Sequence, residues 1–271
     1  MPELPEVETT IRYLGKKVNG KKIVSIKKSN KRLRKNLNLN DLNSIKGKRI
    51  IEVKRFAKYI LVKLNSQSFL IIHLGMSGRL KFYLKENYQK EKHDHVVLEF
   101  DRFYVVFNDP RRFGMFFKLN NNELISFFSH YGLDLLVDKI NFSEIFNKFK
   151  KKSVSLKQAL LDQSIFVGIG NIYANEALFH SRLSPLRLTN SLNGQEISKL
   201  IKSCRYVLKL SLKNGGSSIN DYKSPDGTLG SFQNMFEVYQ KSEVIFKKQS
   251  FSIKKIIQNG RSTFFSPTLQ K

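Results

Sequence analysis

Leu156-Lys157-Gln158-Ala159-Leu160-Leu161-Asp162-Gln163, followed by Val167-Gly168-Ile169-Gly170-Asn171-Ile172-Tyr173-Ala174-Asn175-Glu176, reads as a helix, a tight turn and a second helix. The apolar residues recur at helical spacing on both sides of the turn, and Gly168 and Gly170 allow the backbone to turn sharply and approach its surroundings closely. Asn171 is placed to cap the second helix and to hold its amide beside free backbone N–H groups. A helix start of this kind suits an anion such as a phosphate. A two-glycine turn between packed helices also occurs with no ligand, so the stretch decides the local fold and leaves its use open.

Outward from this stretch the helical spacing continues through Phe142 to Phe149 and Ile197 to Leu212. Upstream of a boundary at residues 134 to 140 the pattern changes to short β-type runs, Tyr59-Ile60-Leu61-Val62, Phe69-Leu70-Ile71-Ile72, Leu80-Lys81-Phe82-Tyr83, His95-Val96-Val97-Leu98 and Tyr104-Val105-Val106-Phe107. Their close spacing predicts an antiparallel sandwich. Val7, Ile11 and Leu14 predict a helix from about Pro5 to Leu14 in front of it, with Pro5 in the first turn and Glu6 and Glu8 at the positive end of the dipole. Near the end, Asn259-Gly260 predicts a two-residue turn between Lys254-Lys255-Ile256-Ile257 and Thr263-Phe264-Phe265, with Arg261 at the tip of the hairpin. The expected fold class is α+β. It comprises an N-terminal antiparallel β-sandwich with a leading helix (1–134), a helical domain (135–235) and a β-hairpin finger (236–271).

The chain has 271 residues, 41% of them hydrophobic, enough for packed cores. Lys and Arg number 48 against 22 Asp and Glu, a formal charge of +26 that points to a polyanionic partner. Runs such as Asn36-Leu37-Asn38-Leu39-Asn40 look compositional, so the distribution of charge is more telling than its sum. Lys16 to Lys35 holds ten basic residues and no acidic one, and Lys247, Lys248, Lys254, Lys255 and Arg261 form a second basic stretch. Two such surfaces could grip opposite sides of a duplex. Cys204 is the one cysteine, which excludes an internal disulfide and a thiolate cage for zinc and fits a reducing, cytoplasmic setting. No apolar run reaches the length of a membrane span, and the N-terminus is acidic and Pro-rich where a signal peptide would be basic and then apolar.

Pro2 and Glu3 carry a specific chemistry. Removal of Met1 is the expected processing before Pro and would expose a secondary amine. An α-amino group titrates at about pH 8, so a useful fraction is neutral and nucleophilic at physiological pH. Glu3 beside it and Glu6 a turn further on supply carboxylates for acid–base work or its support. Taken alone, the same residues also describe an ordinary helix start.

Met1 to Glu8 as a whole resembles the opening of the formamidopyrimidine-DNA glycosylase family. Further matches follow in order: Arg55-Phe56-Ala57-Lys58-Tyr59, His73-Leu74-Gly75-Met76-Ser77-Gly78, Lys92-His93-Asp94-His95 and Asp109-Pro110-Arg111-Arg112-Phe113-Gly114, and then the two-helix stretch, which looks like the family's helix-two-turn-helix DNA-binding motif. Taken singly, Lys58, His73 and Phe113 read as a solvated strand residue, a sheet-edge histidine and a core aromatic; their joint spacing points the other way. The resemblance implies Pro2 as nucleophile, Glu3 as acid–base group, Lys58 as a second acid–base or phosphate-positioning group and Arg261 as a phosphate grip. It also implies DNA contacts at His73, His93, Arg111, Lys152 and Asn171, with Lys152 standing beside Lys150 and Lys151. Met76, Arg111 and Phe113 would fill the gap left by an extruded base, whose unstacking costs a few kcal/mol. Residues 214–222 resemble the family's loop over the flipped base.

The chain departs from the family at its end. Most members carry a zinc finger of pattern Cys-x2-Cys-x16-Cys-x2-Cys, and the equivalent positions here are Phe246, Gln249, Ser266 and Leu269. No metal and no other cofactor is expected. Ile245, Phe251, Ile253 and Phe265 join Phe246 and Leu269 as an expected apolar cluster holding a zincless finger.

The implied activity is that of a monomeric base-excision repair enzyme that removes 8-oxoguanine and formamidopyrimidines from double-stranded DNA and cleaves the abasic strand by β,δ-elimination. The alternatives are a Nei-like enzyme for oxidised pyrimidines, against which Leu4 and the Met76, Arg111, Phe113 trio weigh, and a non-catalytic binder of damaged DNA. Duplex binding that neutralises about six phosphates should give a log affinity against log salt slope of about −5. A flat response in a salt titration would contradict the role of the two basic stretches.

Overall fold

The computed structural model describes residues 2–218 and 222–271. The chain forms two compact units, one of Met1–Ser129 with Asn214–Ser231 and one of His130–Lys213 with Phe232–Lys271. These limits differ from the breaks expected at 134 and 235. Residues 214–231 return to the first unit through hydrogen bonds to its leading helix, and the finger groups with the helical unit because its second hairpin packs on a helix there.

The first unit opens with helix α1 (Leu4–Val18), longer at both ends than the spacing predicts. Leu4, Val7, Leu14 and Val18 are buried along one face. Strands β1 (Ser25–Lys28), β2 (Ile50–Phe56), β3 (Tyr59–Leu64), β4 (Ser68–His73), β5 (Arg79–Leu84), β6 (Asp94–Glu99), β7 (Phe103–Asn108) and β8 (Met115–Asn120) follow, with short helices α2 (Leu39–Ile45) and α3 (Asn121–Phe128). They build two four-stranded sheets, in the orders β1-β6-β7-β5 and β2-β3-β4-β8, with every pair antiparallel. Ile60, Val62, Leu70 and Ile72 of one sheet and Val96, Leu98, Val105 and Phe107 of the other share a core, the alternation that a strand period of two requires. The β6–β7 register shifts between Asp94 and Val96, a bulge at His95. His95 is buried there, between the Ser29 hydroxyl and the Asp109 carbonyl.

The second unit holds α4 (Phe142–Lys150), α5 (Leu156–Leu161), α6 (Asn171–Ser181) and α7 (Gly194–Lys213). The Gln163 side chain spans the turn between α5 and α6. Gln163 Oε1 accepts the Gly168 N–H at 2.8 Å, and its Nε2 donates to the Leu161 and Ile169 carbonyls. Gly168 stands at φ +82, a conformation in which a side chain would strain the backbone. Two hairpins end the unit, β9 (Glu243–Phe246) with β10 (Gln249–Ser252) and β11 (Lys254–Gln258) with β12 (Arg261–Phe265). Asn259 and Gly260 both have positive φ, the two-residue turn that the sequence predicts. Among the described residues no helix is long and apolar enough to cross a membrane.

The finger cluster differs from expectation in its members. Val244 and Phe264 join Phe179 and Val238, with Phe251, Ile253 and Leu269 packed against them. Ile245 is 76% exposed, because strand alternation turns it away from the face that Val244 buries.

Candidate active site and nucleic-acid interface

The first turn of α1 carries the N-terminal candidates. Pro2 is buried, and Glu3 and Glu6 are 3% and 2% exposed. Glu6 Oε2 accepts the Glu3 N–H at 2.8 Å, a reciprocal cap that satisfies a donor no helical carbonyl can reach. Its Oε1 accepts the Ser217 N–H at 2.7 Å, and the Tyr222 hydroxyl donates to the Glu6 carbonyl at 2.8 Å. Gly216 permits this approach: a Cβ there would lie 3.0 Å from Glu6 Oε1, and φ is +83. Of the loop expected at 214–222, residues 219–221 lie outside the described residues, as does Met1.

Lys58 is 8% exposed, at the turn from β2 to β3, and α1 packs on both strands. A half-buried ion pair fixes that turn. Arg55 Nε donates to Glu8 Oε2 at 2.9 Å and Arg55 Nη1 to the carbonyl of Ala57, a residue at φ +54 directly before Lys58. Position 57 therefore holds a left-handed alanine, a small backbone strain stabilised by the guanidinium. In the sequence the one signal for this pair is opposite charges, Glu8 on a helix and Arg55 on the strand beneath it.

His73 ends β4, opposite Tyr59 in register, with the two rings 4.8 Å apart. Burial, then the charges of Lys58 and Arg34, push its pKa down to about 4. The Gly75 N–H donates to His73 Nδ1 at 3.1 Å, so the neutral ring carries its proton on Nε2 and offers a donor there. Arg34 is a further basic residue of this neighbourhood, hidden from the sequence reading inside a run of like charges.

Met76, Arg111 and Phe113 come together on two loops of the first unit. The Ser77 hydroxyl donates to Asp109 Oδ1 at 2.6 Å and accepts the Arg111 N–H at 3.1 Å, and the Gly114 N–H donates to Asp109 Oδ2 at 2.8 Å. The loops touch backbone to backbone, since a Cβ on Gly75 would stand 2.6 Å from Gly114 N. On this braced platform Met76 and Phe113 are 42% and 48% exposed, and the Arg111 guanidinium lies 5.1 Å from the Phe113 ring centroid. Apolar side chains held outward by buried polar bonds are suited to entering a base stack. His93 is half-buried, and its carbonyl accepts the Asp109 N–H.

In the second unit Arg261 is exposed at the start of β12. The next residue is pinned from two helices, for the Ser262 carbonyl accepts from Lys157 Nζ at 2.7 Å and from Asn171 Nδ2 at 3.0 Å. This corrects one expectation. Gly170, in extended conformation, is the N-cap of α6; Asn171 occupies the first turn, with its amide turned to the hairpin and Oδ1 buried without a partner. Lys157 was missed, although a lysine among Leu156, Ala159 and Leu160 breaks the apolar pattern of α5. It is fully buried and also donates to Thr263 Oγ1 at 2.6 Å. Lys152 pairs with Asp162 Oδ2 at 2.7 Å and Lys150 donates to the Asn190 carbonyl, whereas Lys151 is exposed.

The sequence resemblance extends to known proteins along the whole chain. The formamidopyrimidine-DNA glycosylase N-terminal domain matches residues 1–116 and the H2TH domain of the same enzymes matches residues 131–223. A formamidopyrimidine-DNA glycosylase of Wolbachia sp. subsp. Brugia malayi is 40% identical over 271 residues, covering 100% of both chains. The chain belongs to the formamidopyrimidine-DNA glycosylase family. The Zymomonas mobilis glycosylase is 40% identical over 274 residues, again with full coverage of both. Among solved structures, Lactococcus lactis Fpg in complex with abasic-site DNA matches with a TM-score of 0.90 at 30% identity over 99% of each chain. The same enzyme with Fapy-dG DNA matches equally well, covering 99% of this chain and 100% of the other.

The family's zinc finger is the exception. Phe246 and Leu269 offer no donor atom, the Gln249 amide is exposed, and Ser266 Oγ is buried without a hydrogen-bond partner. One hydroxyl and one amide do not fit a tetrahedral zinc site of thiolate and imidazole ligands. Among the described residues no group of three or more His, Cys, Asp or Glu could hold a metal ion.

The His73 geometry has a consequence for pH. The folded pKa of about 4 lies below the unfolded value of about 6.5, so this group's stability is fully present above pH 6.5 and is lost as pH falls towards 4. An NMR titration is expected to find the His73 midpoint near 4 with the proton on Nε2; a midpoint at or above 6.5 would contradict the geometry.

Proposed function

We propose that this protein excises oxidised purines, 8-oxoguanine and formamidopyrimidines, from duplex DNA and then cleaves the abasic strand. The observation that carries this reading is the first turn of α1, where Pro2, Glu3 and Glu6 are buried in a chain alike from end to end to formamidopyrimidine-DNA glycosylases. A nucleophile and a carboxylate withdrawn from solvent act where water does not screen their charge.

In this reading the Pro2 amine, freed by removal of Met1, attacks the sugar C1′ and displaces the damaged base. The N-glycosidic bond breaks as the C–N bond to Pro2 forms, and Glu3 handles the protons of the exchange. The C1′–O4′ bond then breaks, O4′ takes a proton and the opened sugar is left as an iminium on Pro2; this acidifies the adjacent sugar protons, and successive β- and δ-eliminations expel the 3′ and 5′ phosphates to leave a one-nucleotide gap. Lys58 supports the proton transfers or positions a phosphate, and Glu6 holds the turn through the Glu3 N–H. Met76 and Phe113 enter the space vacated by the flipped nucleotide, while Arg111 faces the orphaned base. His73, His93, Lys152 and Asn171 contact the DNA, and Arg261 grips phosphate near the lesion and assists the last elimination. The enzyme works as a monomer in the cytoplasm, on the nucleoid, without a cofactor.

Single-turnover assays on duplexes with 8-oxoguanine, or with an oxidised pyrimidine, test this. The expected result is excision of 8-oxoguanine with β,δ-elimination products, and a loss of about 10²-fold or more in Glu3→Gln with abasic-DNA binding retained. Wild-type protein that binds lesion DNA and releases no base would leave only the binding role; preference for the oxidised pyrimidine would favour the Nei-like activity.

A further inference from the structure

The hairpin finger closes against α6 without a set of metal ligands, and one side chain occupies a place that packing alone does not explain. Arg182 follows α6 as its C-cap at φ +58, a left-handed position where glycine or asparagine is the usual occupant. Its guanidinium carbon lies 4.1 Å from the ring centroid of Phe179, on α6, and 4.1 Å from that of Phe246, on β9. Phe246 stands at the first of the family's four cysteine positions and pairs in register with Gln249, the second. Arg182 Nη1 is buried with no hydrogen-bond partner, so the ring faces are what compensates its desolvation. Burial pushes its pKa down, while the nearby Glu237 carboxylate acts the other way.

The backbone of Arg182 is tied to the same region. Its carbonyl accepts the Lys271 N–H, the Ser184 N–H donates to the Lys271 carbonyl, and Gln270 Nε2 donates to the Leu183 carbonyl at 2.9 Å. Gln270 Oε1 accepts the N–H of Ser266, the third cysteine position, at 2.9 Å. The 182–184 segment thus reaches the first half of the finger through a side chain and the second half through backbone and amide bonds.

We propose that the Arg182 guanidinium, stacked between Phe179 and Phe246, is the positioning group that replaces a metal in holding the finger, and through it Arg261, in register on the helical unit. A cysteine cage joins the two hairpins by metal bonds; here a cation shared by two aromatic faces joins the first hairpin to the helix, and the Lys271 and Gln270 clamp joins the second. Arg182 is a positioning residue, not a catalytic one, and its effect falls on the step assigned to Arg261. The proposal rests on the activity described above.

The test compares wild type, Arg182→Met, Phe246→Leu and Phe246→Tyr on a preformed abasic-site duplex, scoring borohydride-trapped adduct and the ratio of δ- to β-elimination product. Adduct formation, assigned to Pro2, is expected to stay near wild type in all four. The δ to β ratio should fall about fivefold in Arg182→Met and Phe246→Leu, the equivalent of one partly exposed cation–π pair, and be retained in Phe246→Tyr. A chelator should leave the wild-type ratio and melting temperature unchanged, a measurement that needs no variant to fold. Wild-type ratios in both Arg182→Met and Phe246→Leu would overturn the proposal, and so would a chelator-dependent ratio or melting temperature. Wild-type protein that forms no adduct would refute the activity instead, and the chelator melt would still judge the finger.

Discussion

A buried carboxylate, Glu6, is the constraint on which the first unit's chemistry depends. Its two oxygens accept backbone N–H groups, among the described residues those of Glu3 in its own helix and of Ser217, 211 positions further along the chain. An N–H left buried without a partner costs about 1–3 kcal/mol, so losing this carboxylate would loosen the turn that carries Pro2 and Glu3 and the segment anchored by Tyr222 together. Lys58 is held in the same manner at one remove, through Glu8, Arg55 and the Ala57 carbonyl. Asp109 repeats the device for the exposed trio, binding Ser77 and Gly114 so that Met76, Arg111 and Phe113 stand on crossed loops. The candidate site residues sit at the ends of elements, and acids, Glu6 and Asp109 buried and Glu8 half-buried, fix those ends.

The helical unit applies the same physics to its hairpins. Glu176, buried in α6, accepts the N–H groups of Glu237, Val238 and Tyr239, and the Asn175 amide accepts that of Phe264. Lys157 and Asn171 converge on the Ser262 carbonyl beside Arg261. Apolar burial around Val244 and Phe264 supplies the non-directional part of the stability, and these polar pins supply the register. Such pins let a hairpin keep its place when the cysteine positions hold Phe246, Gln249, Ser266 and Leu269.

Local pattern made much of this legible in the sequence. The two-glycine turn, the alternating strands and Asn259-Gly260 each specify a conformation within a few residues, and α5 spans Leu156–Leu161 as its periodicity predicts. What escaped was long-range and polar. Nothing in the spacing of residues 214–231 tells that they return to α1, because the return is made by the Ser217 N–H and the Tyr222 phenol. Asn171 lost the cap to Gly170 because its amide found the Ser262 carbonyl, a contact across 91 positions. The left-handed Ala57 and Arg182 likewise stand where composition favours other residues, each held by partners that only the fold supplies.

The proposed chemistry turns on which amine meets the sugar. Borohydride reduction of the enzyme on a preformed abasic-site duplex, followed by proteolysis and mass spectrometry of the linked peptide, answers this directly. The account predicts a deoxyribose remnant on the amine of Pro2, in a peptide lacking Met1. A remnant on the side chain of Lys58, Lys157 or any other lysine, with Pro2 unmodified, would contradict it.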